Sequence, residues 1–403
     1  MSEEYIPFHK PSIGQSEVDE VVETLRSGWL TTGPRTAQFE REFREYVQSP
    51  CALAVNSCTS GLHLAFAALG VGPGDEVITT PLTFCATVNT ILQVGATPIL
   101  ADVRSDGNID PRSVQERTTD RTRAIVPVHL AGLPCDMDAI WRQAQSHGMY
   151  VVEDAAHAIG AKYRGVPIGA GDPISKHFSD AVAFSFYATK CLTTGEGGMV
   201  TTHDPALARR MKTLCLHGIN ADAWNRYAEE GSWYYEVTAC GFKYNLSDLQ
   251  AALGLPQLRR QETLLEKRAW IARAYTDALS EVEDLVELPH EETESRHAWH
   301  LYIIKLKLDA LSAGRNEVVR RLRELKVGAS VHFIPIPLHP AYAAHPGLSA
   351  DHCPKAMQLY RRLISLPIYP DMTSEQVHRV ADALKSILKS LHKQVAVSAM
   401  VGR

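Results

Sequence analysis

A lysine and an aspartate, each at the end of an apolar run, are the side chains of this sequence best placed to do chemistry. Lys190 follows the aromatic run at 184–187 and precedes two threonines and a glycine-rich turn at 195–198. Asp154 ends the run at 151–154. Pyridoxal phosphate needs both groups, since a lysine amine forms a Schiff base with its aldehyde and an acid keeps its pyridine nitrogen protonated. A lone lysine at a strand end is more often an ordinary solvent-exposed residue. The prediction therefore depends on the combination of Lys190 with Asp154.

A cluster of hydroxyl groups at 56–61 precedes a helical pattern that begins near Leu62, and Thr59 and Ser60 belong to this cluster. At a helix N-terminus, free backbone N–H groups, the helix dipole and hydroxyl donors converge on an anion. The segment is therefore a candidate phosphate site. Helix capping alone is the alternative, but several hydroxyls and a glycine together exceed what one cap needs.

Two ring-bearing residues follow strand patterns near these groups. Phe84 comes after the strand pattern at 76–79 and could stack on a flat cofactor ring. His157 lies three residues after Asp154 and could donate a hydrogen bond to the carboxylate or to a ring oxygen. A core phenylalanine and a structural histidine are the alternative interpretations.

Apolar runs alternate with helical patterns between about residues 50 and 205, and these elements must position the groups above. The predicted strands are 76–79, 98–101, 124–128, 150–152, 181–184 and 199–201, and the predicted helices are 62–69, 87–94, 135–145 and 205–214. Several strands are apolar on both faces, as in sheets that helices cover on each side. The pattern predicts an α/β fold with a large, mostly parallel sheet.

The C-terminal part of the chain has a different pattern. A long helical pattern over 246–274 is expected to link two domains; strand patterns at 299–304 and 330–333 and helical patterns at 316–325, 357–362 and 374–391 follow it. We expect a large cofactor-binding α/β domain over residues 1–260 and a smaller α+β domain over residues 261–403. The last residues, 396–403, are expected to fray.

Composition and charge argue against several classes of protein. The net charge of −5 disfavours a nucleic-acid binder, and no apolar run approaches the roughly 18 residues of a membrane span. There is no secretory signal pattern, and the eight cysteines form no C-x-x-C pair, so we expect a cytoplasmic protein without a metal site. The glycines at 70–74 follow a helix and precede a strand, the reverse of a dinucleotide fingerprint, which disfavours an NAD-dependent oxidoreductase.

Taken together, these segments resemble the DegT/DnrJ/EryC1/StrS family of sugar aminotransferases, which are pyridoxal phosphate enzymes of aminotransferase fold type I. The resemblance runs from about residue 6 to residue 388, nearly the whole chain. The segments that carry it are 27–34, 56–61, 153–158, 184–198 and 241–245. Each segment alone is common, but the combination is specific.

The resemblance implies a role for each matching residue. Lys190 is expected to be the Schiff-base lysine and Asp154 the partner of the pyridine nitrogen. The other implied cofactor contacts are the phosphate ligands Thr59, Ser60 and Ser185, the stacking aromatic Phe84 and the cofactor-side donor His157. Asn245 is expected to reach the phosphate from the neighbouring subunit of a homodimer. Some members of the family replace the lysine with histidine and become dehydratases, so the presence of Lys190 implies transamination.

Segments 216–224 and 297–300 look most like those of enzymes that aminate C4 of nucleotide-linked 4-keto-6-deoxy sugars. Glutamate is the expected amino donor and leaves as 2-oxoglutarate, and Thr32 and His332 are candidate substrate contacts. A 3-keto nucleotide sugar or a cyclitol ketone is the alternative acceptor. A non-catalytic regulator with the same fold is the alternative from another class. The longer segment 169–179, with Lys176, His177 and Phe178, departs from the family pattern and is expected to alter the substrate mouth.

Overall fold

The computed structural model describes residues 4–172, 177–220, 234–290 and 294–393. Within these ranges a seven-stranded sheet forms the centre of the fold. Its strands and a two-stranded ribbon are β1 (Cys51–Val55), β2 (Glu76–Thr79), β3 (Thr97–Leu100), β4 (Thr122–Val126), β5 (Tyr150–Asp154), β6 (Lys162–Tyr163), β7 (Val166–Pro167), β8 (Ala181–Ser185) and β9 (Gly198–Thr202).

The spatial order of the central sheet is β1-β9-β8-β5-β4-β2-β3. Strand β9 is antiparallel to both of its neighbours, whereas the pairs from β8 across to β3 are parallel. The mostly parallel sheet predicted from the sequence is confirmed. Because parallel strands end at the same edge, the segments that follow β2, β5 and β8 all emerge at one edge of the sheet.

Helices cover both faces of this sheet. Those of the first two-thirds of the chain are α1 (Gln15–Ser27), α2 (Pro34–Tyr46), α3 (Cys58–Leu69), α4 (Cys85–Gln93), α5 (Pro111–Arg117), α6 (Met137–His147), α7 (Pro205–Cys215), α8 (Asp248–Arg259) and α9 (Gln261–Leu279). On one face α3 and α7 bury Phe66 and Met211, and on the other α2 and α8 bury Phe43 and Leu255. This double cover explains why the central strands are apolar on both sides.

A second core lies around a three-stranded antiparallel sheet, whose strands are β10 (Val286–Glu287), β11 (Tyr302–Leu306) and β12 (Leu363–Leu366). Helices α9, α10 (Arg315–Glu324) and α12 (Ser374–Leu391) pack side chains into this core, whereas α11 (Pro354–Tyr360) contributes Ala356 and Leu359 to a different cluster with Leu82 and Leu100. Ile6 belongs to this core and pairs with Val327, so a segment near the N-terminus packs with C-terminal elements. The division of the chain at residue 260 stays a prediction.

Two predicted elements of the C-terminal part are wrong. The single helix expected over 246–274 is two helices, α8 and α9, which are separated by Arg260; the guanidinium of Arg260 binds Glu17 and the Ser12 carbonyl. The strand expected at 330–333 makes one bridge, between Ser330 and Ser365, and β12 occupies the place beside β11. The elements without a predicted counterpart are α1, α2, α5, β1, β6, β7, β10 and β12. Residues 396–403 lie outside the described part.

The turn predicted at 70–74 does connect α3 to β2. Gly70 ends α3 with a φ of 74°, a left-handed conformation that favours glycine. Over the ranges that the structure describes, none of the helices combines the length and the apolar character needed to cross a membrane.

Candidate active site

A cavity of about 760 Å³ opens at the edge where the parallel strands end. It brings together seven of the ten residues predicted for the site: Thr59, Phe84, Asp154, His157, Ser185, Lys190 and His332. Ser60, Thr32 and Asn245 are not among its lining residues. The sheet topology accounts for six of these seven residues, since they lie at the ends of β5 and β8 or in the segments that follow β1, β2, β5 and β8, whereas His332 comes from the C-terminal part of the chain.

Lys190 lines this cavity, five residues beyond the end of β8. Its backbone N–H donates to the Tyr187 carbonyl at 2.9 Å, which closes a tight turn. Burial lowers the pKa of Lys190 below its ordinary value, and the charge of Asp154 opposes this shift. A lowered pKa increases the fraction of neutral amine, which is the form that acts as a nucleophile or a base.

Asp154 ends β5 and is only 5% exposed. Its Oδ1 accepts from the Ala156 N–H at 3.1 Å, and its Oδ2 accepts from the Thr87 hydroxyl at 2.8 Å. The Cys58 thiol is a weaker donor to Oδ1, at 3.9 Å. A buried carboxylate with donors on both oxygens is held in one orientation, as a partner of a ring nitrogen should be.

The hydroxyl groups of the candidate phosphate site at 56–61 have two different roles. Ser57 is the N-cap of α3: its hydroxyl accepts from the Ser60 N–H at 3.0 Å, while the Ser60 hydroxyl donates to the Ser57 carbonyl at 2.7 Å. The Ser60 side chain therefore serves the helix cap in this chain. Thr59 and Ser185 line the cavity beside this helix N-terminus and stay candidate phosphate ligands.

Two features of the cavity wall fit a flat, polar ring. Phe84 is 62% exposed although it lies in the cavity, an unusual exposure for a large apolar side chain. His157 is buried, and its Nδ1 has no hydrogen-bond partner among the described residues. Together with Lys190 and Asp154, these groups match the aldehyde, ring and polar substituents of pyridoxal phosphate.

Histidines form much of the remaining wall, and two of them were not expected from the sequence. Burial lowers the pKa of His9 and of His332 to about 4 each, and the charge of Lys190 acts in the same direction. Burial also places the pKa of His157 and His300 well below the ordinary value. These four rings are therefore neutral at pH 7 and act as hydrogen-bonding surfaces rather than as cations.

The residues that sequence reasoning missed come from several segments: His9, Cys58, Thr83, Thr87, His300 and Phe333. A helical spacing of four residues between Thr83 and Thr87, on either side of Phe84, was the one signal that could have drawn attention to the threonines. His300 lies in the segment 297–300 that the family resemblance singled out. His9 has no such signal.

Thr32 and Asn245 bind each other instead of facing this cavity. The Asn245 Nδ2 donates to the Thr32 Oγ1 at 2.7 Å, and that hydroxyl donates in turn to the Leu246 carbonyl. Within one chain, neither side chain joins the groups around Lys190. Their predicted roles are untested.

The described residues of segment 169–179 do not line this chain's own cavity, and residues 173–176 lie outside the described residues, so the expected effect on the substrate mouth stays a prediction. Phe178 stacks on His203 with ring centres 4.1 Å apart, and the Ser179 hydroxyl accepts from the Trp141 indole at 2.8 Å. These residues precede β8, so they lie at the sheet edge opposite to Lys190, which follows β8. Lys176 and residues 221–224 of the segment 216–224 lie outside the described residues.

The family model of the DegT/DnrJ/EryC1/StrS aminotransferases matches residues 11–385 of this chain. The chain belongs to this family. It is 48% identical over 387 residues to the spore coat polysaccharide biosynthesis protein SpsC of Bacillus subtilis, covering 96% of this chain and 97% of that protein.

Solved structures agree with this membership. The PLP form of the putative sugar aminotransferase Spr1654 from Streptococcus pneumoniae is 32% identical, with a TM-score of 0.87 and coverage of 96% of this chain and 100% of that one. PseC of Helicobacter pylori, an aminotransferase involved in the biosynthesis of pseudoaminic acid, is 29% identical, with the same TM-score of 0.87 and the same coverage, 96% and 100%.

The protein is therefore a pyridoxal phosphate-dependent aminotransferase of fold type I, from a family of sugar aminotransferases. When bound, pyridoxal phosphate supplies an aldehyde that takes up the amino group and a ring that stores the released electron pair. In this chain Lys190 and Asp154 would hold the aldehyde and the ring nitrogen, and Thr59 and Ser185 the phosphate. Phe84 and His157 would contact the ring.

Proposed function

We propose that the enzyme transfers the amino group of glutamate to C4 of a nucleotide-linked 4-keto-6-deoxy sugar. The cavity is the main support from the structure: beside the candidate cofactor contacts around Lys190, its wall includes His332, Ile334 and His339, which are free to contact a substrate. Support also comes from the relatives, which include a polysaccharide biosynthesis protein and an aminotransferase of pseudoaminic acid biosynthesis. C4 as the aminated position rests on the resemblance of segments 216–224 and 297–300.

In this proposal Lys190 moves the proton in both half-reactions. Its neutral ε-amine takes the proton from the α-carbon of glutamate and later delivers a proton to the sugar carbon that receives nitrogen. The lowered pKa of Lys190 favours the neutral, proton-accepting form. Asp154 holds the pyridine nitrogen protonated, and the neutral histidines of the wall add no competing charge near the transferred proton.

The alternatives differ in what the cavity must recognise. A 3-keto nucleotide sugar would require the same nucleotide handle with a different ketone position, and a cyclitol ketone would require no nucleotide. A non-catalytic regulator would need the cofactor-binding groups without a base. The partly desolvated Lys190 facing Asp154 favours an enzyme over a regulator.

The acceptor assignment predicts that activity depends on the nucleotide. Removing it from the 4-keto sugar is expected to lower kcat/KM by at least about 100-fold, or about 2.7 kcal/mol, because the nucleotide supplies remote binding energy that positions the ketone. The enzyme is incubated with glutamate and a panel of nucleotide-linked 4-keto and 3-keto sugars, the free sugars and a cyclitol ketone. Products are identified by mass spectrometry. Efficient amination of the cyclitol with none of the 4-keto nucleotide sugars accepted would replace this assignment by its alternative.

We also propose that the active unit is a cytoplasmic homodimer in which Asn245 completes the phosphate site of the neighbouring subunit. Among the described residues that line the cavity, Lys190 is the only lysine or arginine. Because Lys190 would hold the aldehyde, no other lysine or arginine among these lining residues is left for a cofactor phosphate and a nucleotide diphosphate, so further donors from a second chain are favoured. Asn245 lies next to the loop after β1, since it pairs with Val55, yet it is not among the lining residues of its own cavity.

Subunit mixing tests the shared site. Lys190→Ala and Asn245→Ala are each expected to be inactive, and a heterodimer of the two would contain one intact site. Equal mixing is expected to restore about a quarter of wild-type activity, because half of the random dimers are heterodimers and half of their sites are intact. As a control, Asn245→Ala mixed with the double variant Lys190→Ala/Asn245→Ala should recover nothing. If activity does not recover after subunit exchange has been demonstrated, Asn245 acts in the site of its own subunit or has no role in the site.

A further inference from the structure

Two buried hydroxyl groups in series hold the carboxylate of Asp154. The Thr87 Oγ1 lies 2.8 Å from the Asp154 Oδ2, and the Thr83 Oγ1 lies 2.7 Å from the Thr87 Oγ1. Both threonines are almost fully buried, at 1% exposure for Thr83 and 0% for Thr87. Buried hydroxyls keep such partners because an unpaired polar group away from water is costly.

The direction of these hydrogen bonds follows from the chemistry of the groups. An ionised carboxylate only accepts, so Thr87 donates its single hydroxyl hydrogen to Asp154. The Thr87 oxygen can then only accept from its neighbour, so Thr83 is the donor. The order is therefore Thr83 to Thr87 to Asp154. Each donor strengthens the next one along the series.

The same short segment also presents the candidate ring-stacking side chain. Thr83 comes directly before Phe84, the N-cap residue of α4, and Thr87 lies in the first turn of that helix. A shift of this turn would move the stacking face and the carboxylate support together. The segment thus couples two of the proposed cofactor contacts through one rigid element.

We propose that Thr87, supported by Thr83, is a positioning residue that sets the orientation of the Asp154 carboxylate toward the cofactor. This rests on the proposed role of Asp154 as the partner of the ring nitrogen. The Ala156 N–H holds Oδ1 and the Thr87 hydroxyl holds Oδ2, so both oxygens resist rotation. A carboxylate oriented in advance does not have to reorganise when charge develops on the ring.

The test compares threonine variants of α4 and of the preceding loop. Thr87→Val keeps the shape of the side chain but removes the hydroxyl, and it is expected to slow the half-reaction with glutamate by about 10-fold to 100-fold, or about 1.4 to 2.7 kcal/mol. Thr87→Ser keeps the hydroxyl and should retain most activity. Thr83→Val is expected to cost less, about 3-fold, because it removes only the second donor. Thr90→Val is the matched control, since the Thr90 hydroxyl is equally buried but donates to the Thr87 backbone carbonyl at 3.0 Å.

Two further measurements separate positioning from folding. The pH titration of the bound cofactor's visible absorbance should shift in Thr87→Val and not in Thr90→Val, and titration of the apoenzyme with pyridoxal phosphate should show weaker binding only in Thr87→Val. Thermal melting of each apoenzyme reports whether the variant folds. If Thr87→Val does not fold, Thr83→Val and Thr87→Ser are compared with Thr90→Val instead.

Equal rates and equal absorbance titrations in Thr87→Val and Thr90→Val would overturn the proposal. If Thr87→Val does not fold, an unshifted titration in Thr83→Val would overturn it instead. Asp154→Asn is assayed beside them: an unaffected Asp154→Asn would remove the role on which the proposal rests. Because the glutamate half-reaction contains no keto sugar, an error in the proposed acceptor leaves this comparison intact.

Discussion

Replacing Lys190 by alanine is expected to reduce turnover by more than about 10⁴-fold, because the variant loses both the covalent attachment point and the proton-transferring amine. The cofactor should still bind through the phosphate site, Phe84 and Asp154. Borohydride reduction of the wild-type enzyme followed by peptide mapping should label Lys190. The variant should show bound but unlabelled cofactor. A small primary amine in the buffer should restore part of the proton transfer, since the vacated space opens into the cavity.

Lys267→Ala is the control for this substitution. Lys267 is half-exposed, pairs with Asp371 at 3.8 Å and lies outside the cavity, so its removal should leave both turnover and labelling unchanged. A borohydride label on a lysine other than Lys190 would refute the assignment. So would a Lys190→Ala enzyme whose half-reaction with glutamate proceeds at close to the wild-type rate.

The site residues that could be predicted from the sequence are those that lie at, or shortly after, the end of one strand. Lys190 and Asp154 each follow an apolar run, and parallel strands end at one edge, so the pattern alone indicated that they meet. Phe84 and Thr59 follow other strands of the same sheet and reach the same cavity for the same reason. The sheet topology thus brings residues that are recognised separately in the sequence together in one site.

The features that were not predicted depend on contacts between distant segments. His9 reaches the cavity from the N-terminal segment, where its ring lies 3.1 Å from the Ala188 carbonyl, and no local pattern encodes that contact. Segment 330–333 has the composition of a strand, but His332 binds the Ser365 hydroxyl at 2.9 Å and lines the cavity instead of joining the sheet. Tertiary contacts override strand propensity there.

Ser60 shows the limit of reading a motif by composition. The hydroxyl cluster at 56–61 correctly indicated a helix N-terminus beside the cavity, but two of its hydroxyls, those of Ser57 and Ser60, form the capping box of α3. Only the three-dimensional arrangement distinguishes these capping hydroxyls from Thr59, which lines the cavity. A phosphate-contact experiment should therefore begin with Thr59 and Ser185.

The second large effect is expected for Asp154→Asn, which should slow the half-reaction with glutamate by about 100-fold to 10,000-fold, or about 2.7 to 5.4 kcal/mol. The fold should be retained, because the amide can satisfy every neighbour. Its oxygen can accept from the Ala156 N–H and its nitrogen can donate to the Thr87 oxygen, after which the hydroxyls of Thr87 and Thr83 reverse their order. What the amide cannot do is hold a proton on the pyridine nitrogen by charge.

Asp180→Asn provides the matched control for this change. Asp180 is also partly buried and accepts from the Val151 N–H at 2.8 Å, but it lies at the opposite edge of the sheet from the cavity. Its substitution should lower the melting temperature of the protein at most, with single-turnover kinetics unchanged. If Asp154→Asn behaves as Asp180→Asn does, with a normal rate of glutamate consumption in a single turnover, Asp154 is not the ring partner. A slow Asp154→Asn with a normal melting temperature would establish that the carboxylate charge, rather than its packing, serves the reaction, because the amide fills the same space without the charge.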